Sequence, residues 1–266
     1  RILAVRLRSG IGGSNLEARS ADLEELRSYA NAGKLYAVVD ACDTPCVPQK
    51  AAEVGRKRAV SLYRGSADEM YWAFAPYLFA VDSDLLDWIV AALWSEPWGI
   101  FAVTDADLEA VRRHFRRFLL AQAPNGEQWY FRFYDPRVLQ IILAVTNKMQ
   151  TKQLFRHNVM LAIGYSQCPP TLFCLSTSTR IISVPERSGE QNRSSRKIIF
   201  TPEQLVEISR AMRSRFIRDV AQNLCTVFEI PPVELTGLTR WCERWVKTAE
   251  RLHIVGRFET IRFLES

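Results

Sequence analysis

The chain has 266 residues, with 35 lysine and arginine against 29 aspartate and glutamate, a net charge of +6, 48% hydrophobic and 24% charged. This composition can bury a sizeable core and excludes a disordered tail. The mild basic excess falls short of the concentrated basic face of a dedicated nucleic-acid binder. No apolar run approaches the roughly 20 residues of a bilayer-spanning helix, because Asp82, Asp84 and Asp87, or Arg132 and Asp135, break the longest candidates.

The start, Arg1 to Gly13, alternates arginines with apolar residues and reads as a truncated end rather than a signal peptide. Six cysteines without a C-x-x-C pair are too few for a disulfide scaffold and fit a reduced, cytoplasmic compartment. After a Gly/Ser-containing lead, the stretch Leu16 to Ala30 carries Leu23, Leu26 and Ala30 at helical spacing and predicts a first helix, stopped at Gly33. The apolar run Leu35 to Asp40 predicts a buried strand followed by a proline-bearing loop at Pro45 and Pro48. A second strand is expected at Ala59 to Tyr63, and a third at Pro76 to Val81.

Asp82 or Ser83 then caps a helix from Asp84 to Ser95, and Trp98 to Val103 is the next strand. Thr104 or Asp105 is the expected cap of a helix running to Leu120, striped with Leu108, Val111, Phe115 and Leu119. Gln128 to Tyr134 alternates aromatic and polar residues. Asp135, with Pro136 at the first helical position, starts a helix through Val145. Beyond Gln150 the pattern dissolves, with a strand pair expected around Thr171 to Leu175 and Arg180 to Val184. The apolar-free stretch Glu186 to Arg196 is the best linker.

Thr201-Pro202-Glu203-Gln204 is a helix start, followed by Leu205, Ile208, Met212, Phe216 and Val220 at steps of three or four. After Pro231-Pro232, Leu235, Leu238, Trp241, Trp245, Ala249 and Leu252 form a second stripe. The expected architecture is α/β, with mixed α+β as its variant. Residues 1–20 are a flexible lead, 21–185 a strand-helix lobe, 186–199 a linker and 200–266 a smaller helical lobe.

Chemical motifs are sparse. There is no G-x-G-x-x-G after a strand, no phosphate-cradling G-x-x-x-x-G-K-[ST] and no G-x-S-x-G elbow, and the three histidines stand alone. Cys42 and Cys46 with Cys168 and Cys174 could supply four zinc thiolates, but the second pair is loosely spaced and Cys42 lies at a strand end among apolar neighbours, so ordinary thiols explain them better. Asp40, Asp43 and Asp135 fall at strand ends, where paired carboxylates serve metal-dependent hydrolysis; loop bonding by Asp40 and capping by Asp135 are the simpler readings. Arg112, Arg113, Arg116 and Arg117 lie away from the apolar stripe of their helix, as a solvated face or an acidic partner requires. Arg210, Arg213, Arg215 and Arg218 read the same way. Trp72, Trp88, Trp94 and Trp98 suit a core, and any left exposed marks an interface.

Five words in order, Leu35 to Ala41, Ala75 to Leu78, Trp98 to Phe101, Arg112 to Leu119 and Tyr130 to Leu139, resemble the effector-chaperone (adaptor) family of bacterial type VI secretion, long catalogued as a domain of unknown function. Tyr134-Asp135-Pro136-Arg137 lies in the most specific word. The resemblance covers Lys34 to Leu139 firmly and Phe200 to Phe258 loosely, while Thr146 to Lys197 departs from it. It implies a cytoplasmic protein without catalysis, cofactor, metal or membrane insertion, which binds the N-terminal region of a toxin effector. Loading onto the VgrG spike, directly or indirectly, would follow, and nucleic acid is not an expected partner. A groove between the two lobes would then use Trp98, Phe131, Arg132, Tyr134, Asp135 and Arg137, with Phe216, Trp241 and Trp245 from the helical lobe. The alternatives are a metal-dependent hydrolase or nuclease on Asp40, Asp43 and Asp135, and a basic nucleic-acid-binding module.

Overall fold

A computed structural model describes residues 16–42, 44–95, 97–156, 160–165, 171–177 and 197–251. It is a mixed α/β structure in two compact units, residues 1–205 and 206–266. The strands of the first unit are β1 (Leu16–Ala21), β2 (Leu35–Asp40), β3 (Ala59–Ser61), β4 (Pro76–Ala80), β5 (Gly99–Val103), β8 (Met160–Tyr165) and β9 (Thr171–Thr177), with a separate pair β6 (Leu120–Gln122) and β7 (Gln128–Tyr130). The seven-stranded sheet runs in the order β1-β9-β8-β5-β2-β4-β3, and its neighbours are antiparallel.

The interior strand β2 explains itself. All six residues of β2 are buried, because it lies between β4 and β5 with Val38 opposite both Leu78 and Ile100. A strand buried on both faces needs a continuous apolar run, which Leu35 to Val39 supplies. On one face Leu35, Ala37 and Val39 join Phe79, Phe101, Leu26, Leu85 and Ile89 in a core built with α1 (Leu23–Asn31), α2 (Cys46–Val54) and α4 (Ser83–Leu93). Asp22 and Asp82 cap α1 and α4 by accepting the amides of Glu25 and Leu85.

Several expectations change. The first helix begins at Leu23, and Leu16 to Ala21, given to helix and lead, form a strand because β9 offers them a complete ladder. The loop after β2 contains α2 and leads through β3 to α3 (Ser66–Tyr71) and a 3-10 turn at Trp72–Phe74. The cap of α5 (Leu108–Arg116) is Asp107, not Thr104 or Asp105, and the helix stops before Leu120, which starts β6. Arg180 to Val184 and the linker stretch Glu186 to Arg196 lie outside the described residues.

Helices α6 (Pro136–Val145) and α7 (Lys148–Leu154) complete the unit. The N-terminus of α8 (Pro202–Val227) is anchored there by two interlocked capping boxes. Gln150 serves Asn147 in α7 and Gln204 serves Thr201 in α8. The two glutamine amides also bond each other at 2.8 and 3.0 Å, and donate to the carbonyls of Ile199 and Val145. Residues 198–200, expected in or beside the linker, bond instead to Gln122 at the end of β6.

In the second unit, α8 beyond Leu205 and α9 (Leu235–Arg251) bury Ile217, Val220, Ala221, Cys242 and Val246; of the expected stripes Val220 and Ala249 are buried, whereas Met212 and Trp245 are exposed.

Candidate functional site

The word Tyr130 to Leu139 forms a polar corner over an aromatic floor. Phe131 and Phe133 are buried with Phe115, Phe118 and Phe200: Phe133 stacks on Phe115 at 5.3 Å, and Phe131 meets Phe200 edge-on at 6.0 Å. Tyr134 is buried edge-on against Phe133. These rings fix the backbone that carries the charged residues between and after them.

Arg132 projects from that backbone to Asp40 at the end of β2, 92 positions earlier, and the two form a charge-assisted hydrogen bond. Asp40 also accepts the Cys42 amide at 3.0 Å, while its own amide donates to Trp98 O. Its carboxylate is buried, whereas the Arg132 side chain is 41% exposed. Partial burial disfavours the Arg132 charge, but the Asp40 carboxylate overcomes this and raises the guanidinium pKa above its ordinary value.

Asp135 does two jobs. It caps α6 through the Arg137 amide at 2.8 Å, and holds the Arg137 side chain with both oxygens, at 2.7 to 3.2 Å. Burial pushes its pKa upward, but the Arg137 guanidinium prevails and holds the carboxyl below its ordinary value. Beside this pair runs a chain of phenols. Tyr63 donates to Tyr130 at 2.8 Å, and the hydroxyls of Tyr130 and Tyr134 are 3.0 Å apart. The Tyr130 ring is partly exposed while its hydroxyl end is enclosed by the other two. Burial, then Tyr134, raises the Tyr130 pKa; burial, then the Asp40 charge, raises that of Tyr134. Both shifts favour the protonated phenols.

Arg132, Tyr134, Asp135 and Arg137 are thus brought together with Phe131 beneath them. Trp98 stands in the core against Phe101, at 4.9 Å, and Trp94, linked to the corner through its carbonyl. In the second unit Trp241 and Trp245 lie 5.7 Å apart, and Phe216 packs on the core. Trp241 also lines a cavity of about 580 Å³ with Leu224, Phe228, Ile230, Val233, Glu234, Gly237 and Leu238. The nine proposed positions therefore fall six in the first unit and three in the second.

The carboxylates suggested for metal chemistry are otherwise occupied: Asp40 binds Arg132, Asp135 binds Arg137, and Asp43 lies outside the described residues. Among the described residues no group of three His, Cys, Asp or Glu side chains is placed to hold a metal ion. No helix among them is long and apolar enough to cross a membrane.

The α5 arginines differ from a uniformly solvated face. Arg112 donates to Ser61 O at 2.9 Å and Tyr63 O at 3.2 Å, tying α5 to the end of β3. Burial and then the neighbouring Arg64 lower the pKa values of both Arg112 and Arg116. Of the four tryptophans near the sheet, Trp94 and Trp98 are buried and Trp88 is partly buried, whereas Trp72 is exposed. The composition of residues 70–74 held that signal, but burial depends on the fold.

No curated protein and no solved structure matches the chain. Residues 35–153, from β2 through most of α7 and so including the whole polar corner, match a family model described as Domain of unknown function (DUF4123).

Proposed function

We propose that the protein is a cytoplasmic adaptor that binds the N-terminal region of a cognate type VI secretion toxin effector and promotes its loading onto the VgrG spike. The observation that carries this reading is the family match over residues 35–153, the stretch holding the words on which the resemblance to effector adaptors rests. The geometry supports a binding role. Asp40 and Asp135 are each held by an arginine of the corner, and the side chains of Arg132 and Arg137 stay 41 and 35% exposed, open to a client. Trp98, Phe131 and Tyr134 act from below by holding that surface in place. On this reading Phe216, Trp241 and Trp245 contribute from the helical unit.

Affinity purification of the tagged chain from its native bacterium, with mass spectrometry against a tag-only control, tests the proposal. Co-enrichment of a toxin effector, with or without VgrG, is expected. Enrichment of neither, in cells shown to express the effector, removes the adaptor reading.

A further inference from the structure

The segment between β3 and β4 is anomalous for a folded chain. Met70, Tyr71, Trp72 and Phe74 are 68, 51, 54 and 58% exposed, four large apolar side chains within five residues. Neither α3 nor the following 3-10 turn has a buried residue. Scattered exposed apolar residues are ordinary, but a contiguous set including Trp and Tyr has the composition of an interface anchor. The segment is nevertheless positioned: the Tyr77 hydroxyl in β4 donates to Trp72 O at 3.0 Å, and the entry to α3 turns at Gly65, where φ is +57°.

Its surroundings carry a definite charge. Arg64 immediately precedes Gly65 and pairs with Glu109 at 2.6 Å, and Glu109 also faces Arg112 at 3.8 Å. Arg112 is anchored on Ser61 O and Tyr63 O, so α5 and the entrance to α3 are one neighbourhood. Asp68 of α3 acts electrostatically on both Arg112 and Arg116, as do the charges of Arg64 and Glu109. Arg56 acts on Arg112 as well, and Glu69 follows Asp68 in α3, so four arginines stand against three carboxylates. The local excess is positive, and a carboxylate-bearing partner would relieve it.

We propose that residues 70–74 and the adjoining Arg64, Arg112 and Arg116 form a docking surface for an acidic, amphipathic peptide segment of a protein client. Its apolar side chains sit on Trp72 and Phe74, and its carboxylates meet the arginine edge. This rests on the protein-binding reading above and names the chemistry of the client segment. It does not depend on which secretion machinery the client enters.

The test is selection of random peptides displayed on phage against the full chain, depleted on the Trp72→Ser/Phe74→Ser double variant, followed by fluorescence anisotropy with the winning peptides. Both substituted side chains are exposed, so the variant retains the fold, which circular dichroism verifies. Enriched peptides should combine large apolar residues with a net negative charge. Their affinity should fall roughly tenfold or more in the double variant, several-fold in Arg64→Glu, and further with added salt. Four results overturn the proposal: selected peptides without acidic excess, no peptide that distinguishes wild type from the double variant, a dimer in sedimentation that the double variant dissociates, or anionic vesicles or single-stranded DNA binding at the patch in place of acidic peptides. The two readings separate cleanly. Acidic peptides selected while no effector co-purifies leave the surface and remove the secretion role; an effector captured equally by the double variant does the reverse.

Discussion

Asp135 shows how one side chain can serve local and tertiary structure together. It caps α6, and Pro136 at the first helical position needs no amide acceptor, so the dipeptide starts the helix without waste. The same carboxylate grips Arg137. Because its folded pKa lies below the ordinary carboxylate value, the stabilisation is complete above the unfolded-state pKa and is lost as pH falls through the folded one. Asp135→Asn preserves a cap but not the charge. Discounted for the partly exposed arginine, it should cost about 1–2 kcal/mol at pH 7. Urea titrations at pH 7 and pH 3 should show the gap between variant and wild type narrowing at the lower pH, with the change confined to the region below about pH 4. An unchanged gap would mean that the charge contributes nothing. The Asp40–Arg132 pair sits at the same scale. Residue types suggested both carboxylates, but the arginines that satisfy them come from 92 positions away in one case and two in the other.

At the scale of elements, Gly99 decides whether β5 can lie against β2. It stands opposite Val39, and a Cβ there would collide with the Val38 carbonyl oxygen. Rigid backbone cannot yield as a side-chain tip would. Gly99→Ala should therefore destabilise the first unit by about 2–3 kcal/mol, read as a lowered denaturant midpoint; wild-type stability would show that the strands part at no cost. The interlocked glutamines make a comparable point. Gln204→Ala removes the α8 capping partner, takes one bond from each end of the Gln150 amide and strands the Val145 carbonyl, so a loss of about 2 kcal/mol is expected. Hydrogen exchange of the first turn of α8 should accelerate with it. The Thr201-Pro202-Glu203-Gln204 start was readable because capping is local. Its partner Asn147-x-x-Gln150 had the same signature, but short α7 has too few turns to display an apolar stripe. Strand β1 was hidden for the opposite reason: Leu23, Leu26 and Ala30 gave a helical rhythm that was extended one element too far.

For the molecule as a whole, the family match lies inside the first unit and the helical hairpin lies in the second. The proposed client surface at residues 70–74 also belongs to the first unit, so the effector-capture experiment should respond to Trp72→Ser/Phe74→Ser while the fold does not. Composition, strands β2 to β5 and the starts of α4, α6, α8 and α9 follow from the sequence by itself, because capping, periodicity and continuous apolar runs act over a few residues. Only the tertiary structure decided that the sheet is antiparallel with β2 between β4 and β5, that Asp40 meets Arg132, that Trp98 is enclosed and that Trp72 is not. Strand pairing and burial depend on contacts between distant segments, and the same apolar side chain serves equally well in a core or at an interface until those segments come together.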